Sequence, residues 1–192
     1  MLIEEIKPGS FVYMARNVLG NRSCEEMISR FEERFGDHRQ GQLGQHGVAA
    51  PLIKSTVDVR VSGVEYWRDV DQLLFQSLGS ALTQISKLHP FFLNNSFKDT
   101  GYHLQRYTQG DYYHWHIDSG PGSFSQRQLV AIWYLNSVTC EGGELNFAYQ
   151  DISIKPEAGS LILFPPFWTH LHRSAKLLSG SKYIATTWVC FS

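Results

Sequence analysis

The segment Tyr112-Tyr113-His114-Trp115-His116-Ile117-Asp118 sets an imidazole and a carboxylate two residues apart. Residues at that spacing in an extended strand leave the same face, so His116 and Asp118 can share one metal ion. A third ligand must come from elsewhere, and the stretch Phe164 to His172 ends with two candidates, His170 and His172. Two imidazoles and one carboxylate on one octahedral face leave three positions open, the arrangement used for non-haem Fe(II) oxygenases. That openness lets a bidentate 2-oxo acid and dioxygen bind at the same time. An H-x-D pair alone is weak; its weight comes from the second histidine cluster and from a cation on a strand beyond it.

That cation is Lys182. Read as a strand, the run from Lys182 to Trp188 puts Lys182, Ile184, Thr186 and Trp188 on one face. A lysine on an inward apolar face needs a negative partner, because an unpaired buried ammonium is costly. The far carboxylate of a dicarboxylic 2-oxo acid would supply it. At 4 Å and an effective dielectric near 20, such a pair gives roughly 4 kcal/mol before desolvation. The competing reading is a lysine that extends to solvent at a strand end.

The elements that must position these groups lie mostly in the second half of the chain. Beyond Pro90 short runs rich in Val, Ile, Tyr, Phe and Trp alternate with Gly, Pro, Asn and Ser, which predicts strands at 102–107, 112–117, 129–135, 145–149, 152–154, 160–164 and 182–191. Seven or eight such strands suggest a sandwich or jelly roll. Earlier, Ser23-Cys24-Glu25-Glu26 reads as a capping box for a helix bearing Met27, Ile28, Phe31 and Phe35, with Gly36 as its stop. Val70, Leu74, Leu78, Ala81, Leu82 and Ile85 form the stripe of a second helix, which Pro90 ends. Both stripes are expected to cover a sheet face. Residues 37–54, rich in Gly, Gln and His, read equally as a lid or as an ordinary surface loop.

The stretch Tyr107 to Asp118 resembles the Y-x-x-G-x-x-Y-x-x-H-x-D element of the prolyl 4-hydroxylase-like group of 2-oxoglutarate/Fe(II) oxygenases. Trp133-Tyr134-Leu135-Asn136 with Gly142-Gly143-Glu144-Leu145, and Gly159 to Pro165, resemble further motifs of that group, so the likeness runs from about Gly101 to Phe191. It implies a mainly β (α+β) fold, a double-stranded β-helix (jelly roll) with N-terminal helices packed against one sheet. In domain terms it implies one domain over 1–192, a helical support region at 1–100 and a catalytic core at 101–192. In this group the distal His precedes the co-substrate cation by about ten positions with a Gly two before the cation; His172, Gly180 and Lys182 fit that interval.

The resemblance therefore implies Fe(II) held by His116, Asp118 and His172, and 2-oxoglutarate anchored by Lys182. Tyr134 and Thr186 would support its distal carboxylate, and Tyr107 would line the pocket near the metal-bound end. The implied reaction is hydroxylation of an unactivated C–H bond with O2, releasing succinate and CO2, with ascorbate as a further cofactor. The implied substrate is a prolyl residue or an amino-acid-like small molecule, with Phe124, Arg127 and residues 37–54 as candidate contacts. Trp188 reads as core. The chain departs from the group's pattern at Lys176, where a Pro is usual.

Composition sets the outer limits. A chain of 192 residues with 43% hydrophobic content supports one domain with a substantial core. Seventeen basic against eighteen acidic residues, with no Lys/Arg cluster, give no support for a nucleic-acid partner. Cys24, Cys140 and Cys190 lack CxxC spacing, and the acidic N-terminus and absence of a long apolar run point to a soluble cytoplasmic protein without membrane attachment. His38, His46, His89 and His103 read as hydrogen-bonded structural residues. The rivals to the oxygenase reading are a cupin-type metalloprotein using His114, His116 and His170 or His172, and a non-enzymatic binding barrel.

Overall fold

β-Branched and aromatic residues recur every second position through much of the C-terminal half. The computed structural model, which describes residues 1–43 and 48–192, pairs these runs into antiparallel sheets. Strands β1 (Glu4–Glu5) and β2 (Tyr13–Ala15) precede helix α1 (Asn21–Glu33). Then come β3 (Arg39–Gln40), β4 (Gln42–Leu43), β5 (Val48–Ala49), β6 (Val57–Arg60) and helix α2 (Arg68–Leu88). The remainder supplies β7 (Phe97–Asp99), β8 (His103–Thr108), β9 (Tyr113–His116), β10 (Arg127–Tyr134), β11 (Leu145–Phe147) and β12 (Ile152–Ile154). It closes with β13 (Leu161–Phe164), β14 (His172–Ser174) and β15 (Ser181–Phe191).

The major sheet runs β1-β2-β13-β10-β15-β8-β6-β3, with β7 paired to β15, and the minor sheet runs β12-β11-β14-β9. Side-chain alternation divides the molecule into two cores. Leu129, Ala131 and Trp133 of β10, with Ala185 and Val189 of β15, pack with Val70, Leu74, Leu78, Ala81 and Ile85 of α2 and with Cys24, Met27 and Phe31 of α1. Each fully buried Leu or Ile of that layer contributes about 1.5–3 kcal/mol. Val130, Tyr134 and Ile184 point the other way and meet Leu145, Phe147, Ile152 and Ile154 of the minor sheet. The jelly roll and the helices on one sheet follow from this division.

Polar contacts lock the helices onto the sheet. The Trp133 indole N–H donates to Ser77 Oγ at 2.8 Å, and Arg106 and the Tyr183 hydroxyl both donate to the Glu32 carboxylate. No helix among the described residues is long and apolar enough to cross a membrane.

Several local expectations need correction. Helix α1 starts at Asn21 with Gly20 as its cap and no side-chain cap bond, so Ser23 lies inside the first turn and Glu26 accepts from Arg22 instead. Seating Cys24, Met27 and Phe31 in the core requires that earlier start. Phe35 lies outside the helix in a short 3-10 turn (Phe35–Asp37) and is 70% exposed, so it is not part of the buried stripe. Pro90 acts as expected, with α2 ending at Leu88. The first hundred residues supply strands as well as helices to the major sheet, and β14 is an additional strand.

Residues 44–47 of the Gly/Gln/His-rich segment, including Gly44, His46 and Gly47, lie outside the described residues. The rest forms β3, β4 and β5 and then a short strap beside β9. There Ser55 N–H donates to Tyr112 O at 2.9 Å, His114 N–H donates to Ile53 O at 2.8 Å, and Lys54 bridges Tyr113.

Candidate metal centre and co-substrate cavity

Strands β9 and β14 pair antiparallel with His116 directly opposite His172. Asp118 follows two residues past His116, and the N–H groups of Asp118 and Ser119 both donate to Pro166 O, which fixes the turn. The ligand atoms of His116, Asp118 and His172 lie within 4.8 Å of one another. His172 Nε2 stands 3.2 Å from Asp118 Oδ2, and His116 Nε2 stands 4.0 Å from the same oxygen.

The backbone selects the tautomers. His116 Nδ1 lies 2.7 Å from His114 O, and His172 Nδ1 lies 2.9 Å from His170 O. A carbonyl only accepts, so each Nδ1 carries the proton and each Nε2 presents a lone pair to the centre. Burial, followed by the field of His172, pushes His116 down to about 3, so its ring is neutral. Burial acts to raise the Asp118 carboxyl, but the contact with His172 and the fields of both imidazoles and Arg127 hold it well below the ordinary carboxylate range. Two imidazole lone pairs facing a carboxylate oxygen require a cation or a proton between them, and a divalent ion fits this donor set. Tyr113 stacks on His116 with ring centroids 3.5 Å apart, and Phe164 packs edge-on against His172.

Lys182 projects from β15 into the same cavity and is 3% exposed. Its ammonium donates to Gly143 O at 3.0 Å and to Ser174 Oγ, and lies 4.0 Å from the Tyr107 ring centroid. Those bonds use two of three hydrogens. Burial pushes the ammonium down to about 7, with Glu144 acting in the opposite sense. Burial also raises the Tyr107 and Tyr134 hydroxyls, so both remain proton donors. Gly142, with φ +89°, permits this arrangement: a Cβ there would come within 2.0 Å of Lys176 O. At Lys176, the point of departure from the family pattern, the next residue is tied down by Leu177 N–H donating to Asp111 O.

All seven predicted side chains, His116, Asp118, His172, Lys182, Tyr134, Tyr107 and Thr186, line one cavity of about 320 Å³. His170 does not join them. It is buried with Nε2 2.9 Å from Ser10 O and Nδ1 2.9 Å from Thr169 Oγ1. His114 is exposed and takes the Trp115 N–H on its own Nδ1, so the ligand set of a cupin-type site is not assembled. His38 and His89 are hydrogen-bonded to Phe31 O and the Tyr13 hydroxyl, as structural histidines.

Trp188 packs against the inner core cluster, as its core reading expects, and is also part of the cavity wall. It is half-buried and lines the cavity on the face it shares with Lys182, and among the described residues its buried Nε1 has no hydrogen-bond partner. Arg127 lies between Trp188 and Phe124, 3.9 and 3.8 Å from their rings, and donates to Asp118 O at 2.7 Å. Ser174, Gly143 and Tyr113 were given no role of their own in the sequence, and Lys54 entered only as the last residue of the 37–54 segment of candidate substrate contacts. Ser174 had a usable signal, two residues beyond His172 on a shared face; the Gly143 carbonyl had none.

Residues 102–190 match the family model described as the 2OG-Fe(II) oxygenase superfamily. A PKHD-type hydroxylase of Shewanella oneidensis is 32% identical over 130 residues, which are 63% of this chain and 57% of that protein. A PKHD-type hydroxylase of Parvibaculum lavamentivorans is 37% identical over 92 residues, 45% of this chain and 40% of that one. The matched stretch thus spans 57% and 40% of the length of these two curated relatives. Among solved structures, a prolyl hydroxylase from Trichoplax adhaerens, in complex with a hypoxia inducible factor peptide fragment, superposes with TM-score 0.79 at 20% identity over 95% of this chain and 84% of that one. A viral collagen prolyl hydroxylase from Paramecium bursaria Chlorella virus-1, in its 2OG complex, gives TM-score 0.73 at 17% identity over 98% and 100%. These two likenesses concern the fold.

Proposed function

From a chain that carries a domain of the 2OG-Fe(II) oxygenase superfamily over residues 102–190, we propose a 2-oxoglutarate-dependent hydroxylase whose Fe(II) is held by His116, Asp118 and His172. One observation carries the reading: two imidazoles and a carboxylate converge in the same cavity as a buried ammonium with a hydrogen to spare. Lys182 takes the distal carboxylate of 2-oxoglutarate, with Tyr134 and Thr186 beside it and Tyr107 lining the pocket. Fe(II) with bound 2-oxoglutarate supplies the oxidising power that couples loss of CO2 from the co-substrate, through O2, to hydroxylation of an unactivated C–H bond. The chain's own share is orientation: carbonyls fix the imidazole tautomers and Lys182 fixes the co-substrate.

The substrate class in this reading is a peptidyl proline or an amino-acid-like small molecule; the Trichoplax neighbour was solved with a peptide fragment. The whole of 1–192 acts as one domain, with 101–192 as its catalytic core. Three free cysteines suit a reducing cytoplasm, and ascorbate serves as an added reductant in turnover assays. The test is addition of 2-oxoglutarate to the anaerobic Fe(II) protein, followed by visible spectroscopy. A weak charge-transfer band is expected; a metal-binding barrel without 2-oxo acid chemistry gives none.

A further inference from the structure

Lys54 is a buried cation of the cavity wall for which the proposed chemistry has no use. It is 5% exposed and lines the cavity that holds the ligand cluster. Its ammonium donates to Asp58 Oδ2 at 2.8 Å, and among the described residues that is its one hydrogen-bond partner. Asp58 is itself occupied, accepting from Thr56 Oγ1 at 2.7 Å and from Gln105 Nε2 at 3.3 Å. Two ammonium hydrogens are therefore left over. The backbone is shaped around this side chain: a Cβ on Gly41 would meet Thr56 Oγ1 at 2.1 Å and Lys54 Cε at 3.1 Å.

Charge balance says what those hydrogens meet. The lining and its direct ion-pair partners hold Lys54, Arg127 and Lys182 against Asp58 and Asp118, with Glu144 outside the lining. A divalent ion and a doubly negative 2-oxoglutarate cancel, so the loaded cavity keeps one positive charge. A net positive charge in a buried cavity favours a substrate with one anionic group over a neutral one. Arg127 is held between two rings and by its bond to Asp118 O, beside the metal ligands, whereas Lys54 is held by Asp58 alone and has two hydrogens to give. Lys54 Nζ lies 5.6 Å from the centre of the Tyr113 ring, which in turn stacks on His116, so its anion would stand one ring away from a metal ligand.

We propose that Lys54, braced by Asp58, determines specificity by binding a carboxylate of the primary substrate, so that the site accepts a small molecule with one free carboxylate, such as an amino acid. This rests on the oxygenase reading above. The test uses the Fe(II) protein of residues 1–192 with 2-oxoglutarate, kept anaerobic, titrated with each common amino acid as free acid and as carboxamide. Binding is read by calorimetry and by perturbation of the visible band. At least one free acid is expected to bind about tenfold or more tightly than its amide. Lys54→Gln should abolish that preference, and Lys54→Arg should retain it. A wild-type protein that gives no band with 2-oxoglutarate fails the oxygenase reading itself. One that gives the band but prefers no free acid, or binds none of the pairs, overturns only the Lys54 assignment. So does a preference that survives Lys54→Gln; should that variant not fold, Lys54→Met takes its place in the same acid-against-amide comparison.

Discussion

Lys182 meets two neutral oxygen acceptors and the face of a tyrosine, and burial lowers its ammonium to about 7. The folded, ligand-free protein therefore binds fewer protons here than the unfolded chain between about pH 7 and the ordinary lysine value. A co-substrate that needs the charged form must restore that proton, so 2-oxoglutarate affinity should fall about tenfold per pH unit above 7. Anaerobic titration from pH 6 to 9 checks this, and Lys182→Arg should flatten the profile because guanidinium keeps its charge. At the other end of the cavity, His116→Ala or Asp118→Ala should abolish substrate-stimulated succinate release and cut Fe(II) affinity by well over tenfold, measured by equilibrium dialysis. Full activity in either variant removes the hydroxylase. The residue types here were legible: H-x-D spacing and the parity of Lys182, Thr186 and Trp188 follow from the two-residue repeat alone. Of the acceptors around Lys182, Gly143 was not, because it acts through a backbone carbonyl, whereas Ser174 could have been found from its spacing two residues beyond His172.

Elements carry these groups through a few tight approaches. The Gly142-Gly143 turn brings the Gly143 carbonyl onto Lys182 and leaves no space for a Cβ against Lys176 O. Gly142→Ala should cost about 1–3 kcal/mol from backbone strain and weaken 2-oxoglutarate binding more than metal binding. Chemical denaturation with parallel ligand titrations separates the two effects; an unchanged ratio of affinities would show that the turn does not serve the anchor. Strands β10, β13 and β15 were readable because both their faces are buried and their apolar runs are long. Short β6 and β14 were hidden: Val57-Asp58-Val59-Arg60 does alternate, but over four residues only, and His172-Arg173-Ser174 is three residues with no apolar one. The start of α1 was misread for a related reason: Ser23 and Glu26 have the right types for a cap, but burial of Cys24 decides where the first turn falls.

Across the whole molecule the helices and the major sheet form one firm layer, and the cavity lies between that layer and a four-stranded sheet. Ligands that bind this cavity only in the folded state must raise stability by mass action, about 2.7 kcal/mol at a hundred times Kd. For a chain of this size that is an upward shift of roughly 5–10 °C in Tm. Anaerobic thermal melts with Fe(II) and 2-oxoglutarate, then with chelator added, should show the gain and its loss. The opposition of His116 to His172 across β9 and β14 has a bearing on how the chain folds. A slip of one residue between these two strands would turn one imidazole out of the barrel. A misaligned chain would then fail to retain the ion however complete its secondary structure, so iron uptake during refolding doubles as a proofreading signal for correct strand alignment.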